Sequence, residues 1–253
     1  MSLFSNLPLM LLSLPMIFLA LSVHESAHGL AAYKLGDPTA RNLGRLTLNP
    51  LKHIDVFGFL CMLLFHIGWA KPVPINARNF KNPRRDMALS AAAGPASNLL
   101  TAIVLAGILR LEILFADLFF REEMTAALEL FISGGDVPMS FKWLSVLAYI
   151  LYMGVLLNIS LSIFNLIPIP PFDGSRIAHV FLPPKWYFGI MKYERYIMIA
   201  LLVLLWISPT TWLSNATGWL SSVILSIFGF RGNGEVLLDL NRMLAYVQVA
   251  LSF

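Results

Sequence analysis

His24-Glu25-Ser26-Ala27-His28 closes an apolar run, residues 7–23, that contains no charged side chain. If the run is helical, the two histidines lie one turn apart on the same face. That spacing lets both imidazoles reach one metal ion such as zinc, with the glutamate beside it as a candidate general base. Ionisable groups at membrane depth are costly, so polar side chains at this place point to a role rather than to packing.

The rest of the composition agrees with a bilayer environment. Of the 253 residues, 58% are hydrophobic and 13% charged, with a mean hydropathy of +0.74. The charged share is about half that of a soluble domain. Further apolar runs at 87–109, 144–167 and 196–207 point the same way. The expected fold is an all-α polytopic membrane protein with about five to six transmembrane helices. A small membrane-associated β region is expected between the first two. No segment is long and polar enough for a separate soluble domain, so residues 1–253 are expected to form one domain. Its core is placed at 7–212, with hydrophobic and amphipathic segments at 213–253. The single cysteine, Cys61, excludes an intrachain disulfide and a cysteine zinc cluster.

The formal charge of +4 does not point to nucleic acid, because the basic residues crowd into particular loops. Lys34, Arg41, Arg45, Lys52, Lys71, Arg78, Lys81, Arg84 and Arg85 all fall between the first and second spans. Arg176, Lys185, Lys192 and Arg195 follow Asp173, whereas the segment between the second and third spans is acidic. Basic loops stay in the cytoplasm, which puts the N-terminus outside and both the histidine motif and Asp173 toward the cytoplasmic side. Residues 1–6 carry no positive side chain, so a retained first helix is expected rather than a signal peptide.

Along the chain, Gly36-Asp37-Pro38 should end the first helix. Residues 41–50 read as a strand and turn, and 71–76 as an edge strand because of its prolines. Residues 56–69 are too short for a comfortable span and suggest a re-entrant or interfacial hairpin. The second span, 87–110, is interrupted by Gly94-Pro95 and should kink there. Residues 112–136 read as an amphipathic surface helix, 212–228 as a span or interfacial helix, and 231–253 as an amphipathic tail.

A catalytic zinc commonly takes three protein ligands and a water. His66 lies in an apolar run, while His53 and His179 sit in loops. Asp173 is the better third ligand, since it follows a proline-stiffened turn and Gly174 permits a tight bend. Zinc acidifies water and polarises a carbonyl, and Glu25 could carry the proton to a leaving amine, which makes amide hydrolysis the expected reaction. A peptide bond inside a helix is shielded by its own hydrogen bonds, so a substrate would have to unwind. Residues 45–49 are the expected edge for main-chain pairing with it.

With these motifs in place, the sequence resembles the site-2 protease family of intramembrane zinc metalloproteases. The resemblance rests on His24-Glu25-Ser26-Ala27-His28 together with Asn165-Leu166-Ile167-Pro168-Ile169-Pro170-Pro171-Phe172-Asp173-Gly174. Gly94-Pro95-Ala96-Ser97-Asn98 is similar to a further family feature, and Leu48-Asn49-Pro50-Leu51-Lys52-His53-Ile54-Asp55 to the compact prokaryotic branch. The resemblance implies one Zn2+ per chain held by His24, His28 and Asp173, with Glu25 as catalytic base. It also implies site-supporting or substrate-binding roles for Asn165, Asn98 and His53. The implied function is regulated proteolysis of transmembrane protein substrates within the lipid bilayer of a prokaryotic cell membrane, with room for homo-oligomers. Unlike the larger members, the sequence shows no PDZ-like insertion after the strand region and no nucleotide-sensing (CBS) domain after the last span. Two other readings compete. A non-catalytic membrane binding protein that keeps the protease fold would have no need of Glu25, and a metal transporter would carry polar residues along several helices.

Overall fold

The computed structural model describes residues 7–65, 68–183, 185, 189–190, 192–207, 211–230, 240–241 and 243–247. These residues are mostly helical, and none of them belongs to a β-strand. Helix α1 spans Leu7–Lys34 and contains Pro15. Its C-terminus is closed as expected: Gly36 adopts φ 111°, while Gly36 N–H donates to Tyr33 O (3.1 Å) and Asp37 N–H to Ala32 O (2.9 Å). This pairing of bonds needs a left-handed residue at its centre, which glycine accepts without strain.

Three helices are long and apolar enough to cross a membrane: α1, α4 (Pro83–Ile132) and α5 (Met139–Asn165). The later helices α7 (Glu194–Ile207) and α8 (Thr211–Ile227) have 14 and 17 residues, below and at the lower edge of the about 17–25 that a span takes. Among the described residues, therefore, three helices are clear candidates for spans where five to six were expected. Short helices α2 (Thr39–Asn42), α3 (Val56–Phe65) and α6 (Asp173–Ala178) lie in the connections. The expected tail at 231–253 lies largely outside the described residues.

The expected β region is absent as strands. Residues 41–50 begin in α2, and Arg45 N–H turns back to Ala40 O (2.9 Å). The Thr47 carbonyl is engaged by Ser26 Oγ (2.6 Å) and faces His53 Nε2 (2.7 Å). Main-chain groups here satisfy one another and nearby side chains instead of a ladder. Residues 71–76 belong to no helix or strand, and Pro72 and Pro74 have no N–H to give, which limits pairing. The one bridge nearby joins Ile54 and Ala70 in antiparallel sense.

Within the stretch expected to form a hairpin, 56–69, the described residues are α3 and residues 68–69, with 66–67 outside them. These two pieces come together at two glycines: a Cβ on Gly58 would sit 3.0 Å from Trp69 N, and one on Gly68 would sit 2.7 Å from Met62 Cβ. The expected second span and the expected surface helix both fall within α4, which is two helices meeting at a kink. It passes through Pro95 and departs from helical geometry at Phe120 (φ −132°, ψ 18°) instead. That residue lies in a cluster of rings, with Phe115 centroids 4.8 Å from Phe119 and 5.9 Å from Phe120.

The chain divides into two compact units. One comprises Met1–Ile17, Thr101–Leu157 and Gly218–Phe253, and the other Phe18–Leu100 and Asn158–Thr217. In the first, Gly154 admits Leu105 and Met16 at contact distance, and the Tyr246 ring meets Phe131 and Phe141 edge-on at 5.4 and 5.2 Å. The second contains every residue singled out as a site candidate within the described residues. His66 lies outside them.

Candidate metal centre

His24, Glu25 and His28 are all buried on α1. The turn between α5 and α6 brings Asp173 to them across 149 positions of sequence. Asp173 Oδ2 lies 3.1 Å from both His24 Nε2 and His28 Nε2, and those two nitrogens are 3.0 Å apart. The imidazole planes are nearly perpendicular, at 89°, so the two rings present their edges to a common point. Zinc bonds of about 2.0–2.1 Å place tetrahedral ligand atoms about 3.3–3.4 Å apart, close to the observed triangle. Nitrogen and carboxylate donors are also the set that zinc favours. The residues fit the ion.

The surroundings fix each donor. His28 Nδ1 donates to Ser90 O on α4 at 2.8 Å, which holds the proton on that nitrogen and leaves the Nε2 lone pair for the cluster. Gly94, one turn further along α4, lies against both rings. A Cβ there would collide with His28 Cε1 and Nε2 and come within 2.7 Å of His24 Cε1. Gly174 is needed for a similar reason, since a Cβ would collide with the Leu166 and Ile167 carbonyls where α5 ends. Burial disfavours the charged form of Asp173; where the two imidazoles are protonated, their hydrogen bonds and charge outweigh burial and hold the carboxyl well below the usual carboxylate range. The far end of α6 is held by Arg84, whose guanidinium donates to His179 O through Nε (3.1 Å) and Nη2 (3.0 Å), and to Leu182 O.

Glu25 does not belong to the triangle. Its Oε2 accepts the main-chain N–H of Val73 at 2.7 Å. The softer candidates are distributed differently. His53 is buried and meets the motif helix at Ser26, with Nε2 3.5 Å from Ser26 Oγ and both groups on Thr47 O. Asn98 is wholly buried one turn beyond Gly94, with no partner for either amide atom among the described residues. Asn165 turns its Nδ2 back to Leu161 O (3.0 Å) on its own helix, so no described contact brings it to the triangle. Sequence reasoning missed Ser90, Arg84 and Val73. Their contributions run through main-chain groups or act on them, and no residue pattern announces those.

The profile of peptidase family M50 matches residues 13–207. The chain belongs to peptidase family M50, the site-2 proteases. A Bacillus subtilis protein provisionally named zinc metalloprotease YwhC is 41% identical over 188 residues, which is 74% of this chain and 77% of the relative. A Mycolicibacterium smegmatis protein provisionally named zinc metalloprotease Rip2 is 26% identical over 226 residues, covering 87% of this chain and 74% of the relative. No solved structure matches significantly. This M50 protein is a zinc metalloendopeptidase, and its apolar helices make it a membrane protein.

Proposed function

We propose that this M50 peptidase cuts peptide bonds within or near transmembrane segments, and that it binds one zinc ion per chain through His24, His28 and Asp173. The observation that carries the reading is the triangle of His24 Nε2, His28 Nε2 and Asp173 Oδ2, built late on one apolar helix and just beyond another. Zinc held there lends Lewis acidity to the scissile carbonyl and to the attacking water. Glu25 Oε2 already holds the Val73 N–H, which leaves Oε1 to accept the water proton. That proton passes to the departing amine nitrogen as the C–N bond breaks and a C–O bond replaces it. Ser90 and Gly94 fix the imidazoles and fill the space beside them. Asn98 offers a buried amide to the main chain of a bound segment, Asn165 takes a site-supporting role at the end of α5, and His53 steadies the far side of α1 through Ser26 and Thr47.

A substrate helix must open locally, because its carbonyls and N–H groups are otherwise paired within the helix. In this reading residues 1–253 act as one membrane domain of five to six spans, to which α7 and α8 contribute. The basic residues before α4 and after Asp173 support an outside N-terminus and a site open to the cytoplasmic side. The test uses purified protein and a fusion of two reporter domains joined by a transmembrane segment with a central Asn-Gly-Pro. Glu25→Gln should abolish cleavage while zinc stays bound. Cleavage at the wild-type rate by Glu25→Gln would remove Glu25 as the base.

A further inference from the structure

We infer that the main-chain N–H of Val73 is a positioning group for Glu25, presented by a strap built for that purpose; this rests on the reading of Glu25 as the base. The strap is Lys71-Pro72-Val73-Pro74-Ile75-Asn76. Proline lacks an N–H, so Val73 carries the one donor between Lys71 and Ile75. Lys71 and Val73 each precede a proline, which biases both toward extended backbone, and the run forms neither helix nor strand, ending at Asn76 in extended backbone (φ −107°, ψ 103°). The sequence thus produces a stiff segment with a single N–H at its centre.

Both ends of the strap are fastened. At Lys71, the N–H donates to His53 O (2.8 Å) and the carbonyl accepts Arg45 Nη2 (2.8 Å). At Asn76, the N–H donates to Asp37 Oδ2 (2.7 Å). Asp37 is fully buried just past the end of α1 and also accepts from Thr39 and from Asn79 Nδ2 (2.6 Å). The strap can approach α1 because residue 29, one turn after Glu25, is glycine. A Cβ there would lie 3.2 Å from Val73 Cγ1, 3.1 Å from Ala40 Cβ and 2.6 Å from Leu46 Cδ2. The Val73 side chain is itself buried, 7% exposed, and packs in the gap that Gly29 leaves. Fastened ends, a missing side chain on α1 and the two prolines converge on one contact, Val73 N–H to Glu25 Oε2.

What the contact does follows from its geometry. A carboxylate on a free side chain samples several rotamers, and a general base must point at its proton. A charge-assisted hydrogen bond to a tethered N–H holds one oxygen and so fixes where the other points. Val73 touches neither the metal ligands nor the substrate in this role. Its effect runs through Glu25.

Two measurements test this. The first needs no substrate: amide exchange at Val73, resolved easily because its neighbours on both sides are prolines. The amide should be protected in the wild type and exchange at least about tenfold faster in Glu25→Ala. Equal exchange in the two proteins overturns the inference. The second removes the donor, by Val73→Pro and by incorporating the α-hydroxy acid analogue of valine at position 73, which swaps the N–H for an ester oxygen and keeps the side chain. With the reporter fusion as substrate, kcat should fall about ten- to a hundredfold, as expected for losing a hydrogen bond to a charged group. KM and zinc content should stay unchanged. If Val73→Pro loses zinc or misfolds, the ester protein decides. Wild-type kcat in the ester protein, or loss of its zinc, overturns the positioning role. Activity in Glu25→Gln would instead remove the base reading itself, so the two failures are distinguishable.

Discussion

Gly94→Ala adds one methyl group at a point where helix propensity and packing oppose each other. Alanine in a helix interior is favoured over glycine by about 1 kcal/mol, so without a clash the change would stabilise α4. The new Cβ would come within 2.7 Å of His24 Cε1 and closer still to His28. Ordinary carbon contacts need about 3.5–4.0 Å, so α4 or the rings must give by about 1 Å. A shift of that size stretches the 2.8 Å bond between His28 Nδ1 and Ser90 O, which is carried on the same helix. Losing a partner that orients a metal-bound histidine typically costs about ten- to a hundredfold in metal affinity or activity. Zinc affinity of Gly94→Ala, measured by chelator competition on detergent-purified protein, should therefore fall by that factor. Gly218→Ala on α8 is the control, because a Cβ there meets nothing within 4 Å. Wild-type zinc affinity in Gly94→Ala would refute the close approach of α4 to the two imidazoles.

Other expectations follow from the groups that hold the site in place. Arg84→Lys leaves one ammonium where a guanidinium spans two carbonyls, so the turn carrying Asp173 should loosen. Zinc should then dissociate faster, while Arg84→Lys in an Asp173→Ala background should add little, and equal additional loss there would count against the clasp. Asp37→Asn replaces a charged acceptor of several hydrogen bonds and should cost about 1–3 kcal/mol of local stability, read as faster amide exchange at residues 76–79. The pH response of that tether has a defined sign. Burial alone would raise the Asp37 pKa, but hydrogen bonds from Thr39, Asn79 and Asn76 outweigh it and hold the carboxyl below its ordinary value. A depressed native pKa gives stabilisation that is complete above the unfolded value of about 3.9 and is lost only as pH falls through the native one. Protection at 76–79 should thus stay constant between about pH 5 and 8, and a loss near pH 6 would be inconsistent.

The features legible in the sequence were those with a local cause. A helix repeat places His24 and His28 on one face, and Gly36 marks the end of α1 through its backbone freedom. The apolar length of α1, α4 and α5 declares the bilayer. Asp173 was singled out because it follows a proline-stiffened turn and shares a membrane face with the histidine motif in the charge-derived topology; a lone loop aspartate otherwise reads as a turn or cap residue. The features that were not legible depend on tertiary contact. Residues 41–50 alternate enough to suggest a strand, but Thr47 O finds Ser26 and His53, and a strand without a partner has no ladder to form. Gly94-Pro95 suggested a kink within a continuing helix; the helix does continue through Pro95, and its non-helical backbone falls at Phe120. The interruption at Gly94 is better understood from the imidazoles it faces than from helix propensity. Val73 could not be singled out by composition, because what it supplies is a main-chain N–H that every residue but proline has.

The most direct test is zinc per chain by elemental analysis of the purified protein, which requires no substrate. About one zinc per chain is expected in the wild type, lost in His24→Ala and held more weakly in Asp173→Ala. A well-folded wild-type preparation that takes up no zinc, even when the ion is added back, would contradict the assignment of His24, His28 and Asp173 as its ligands.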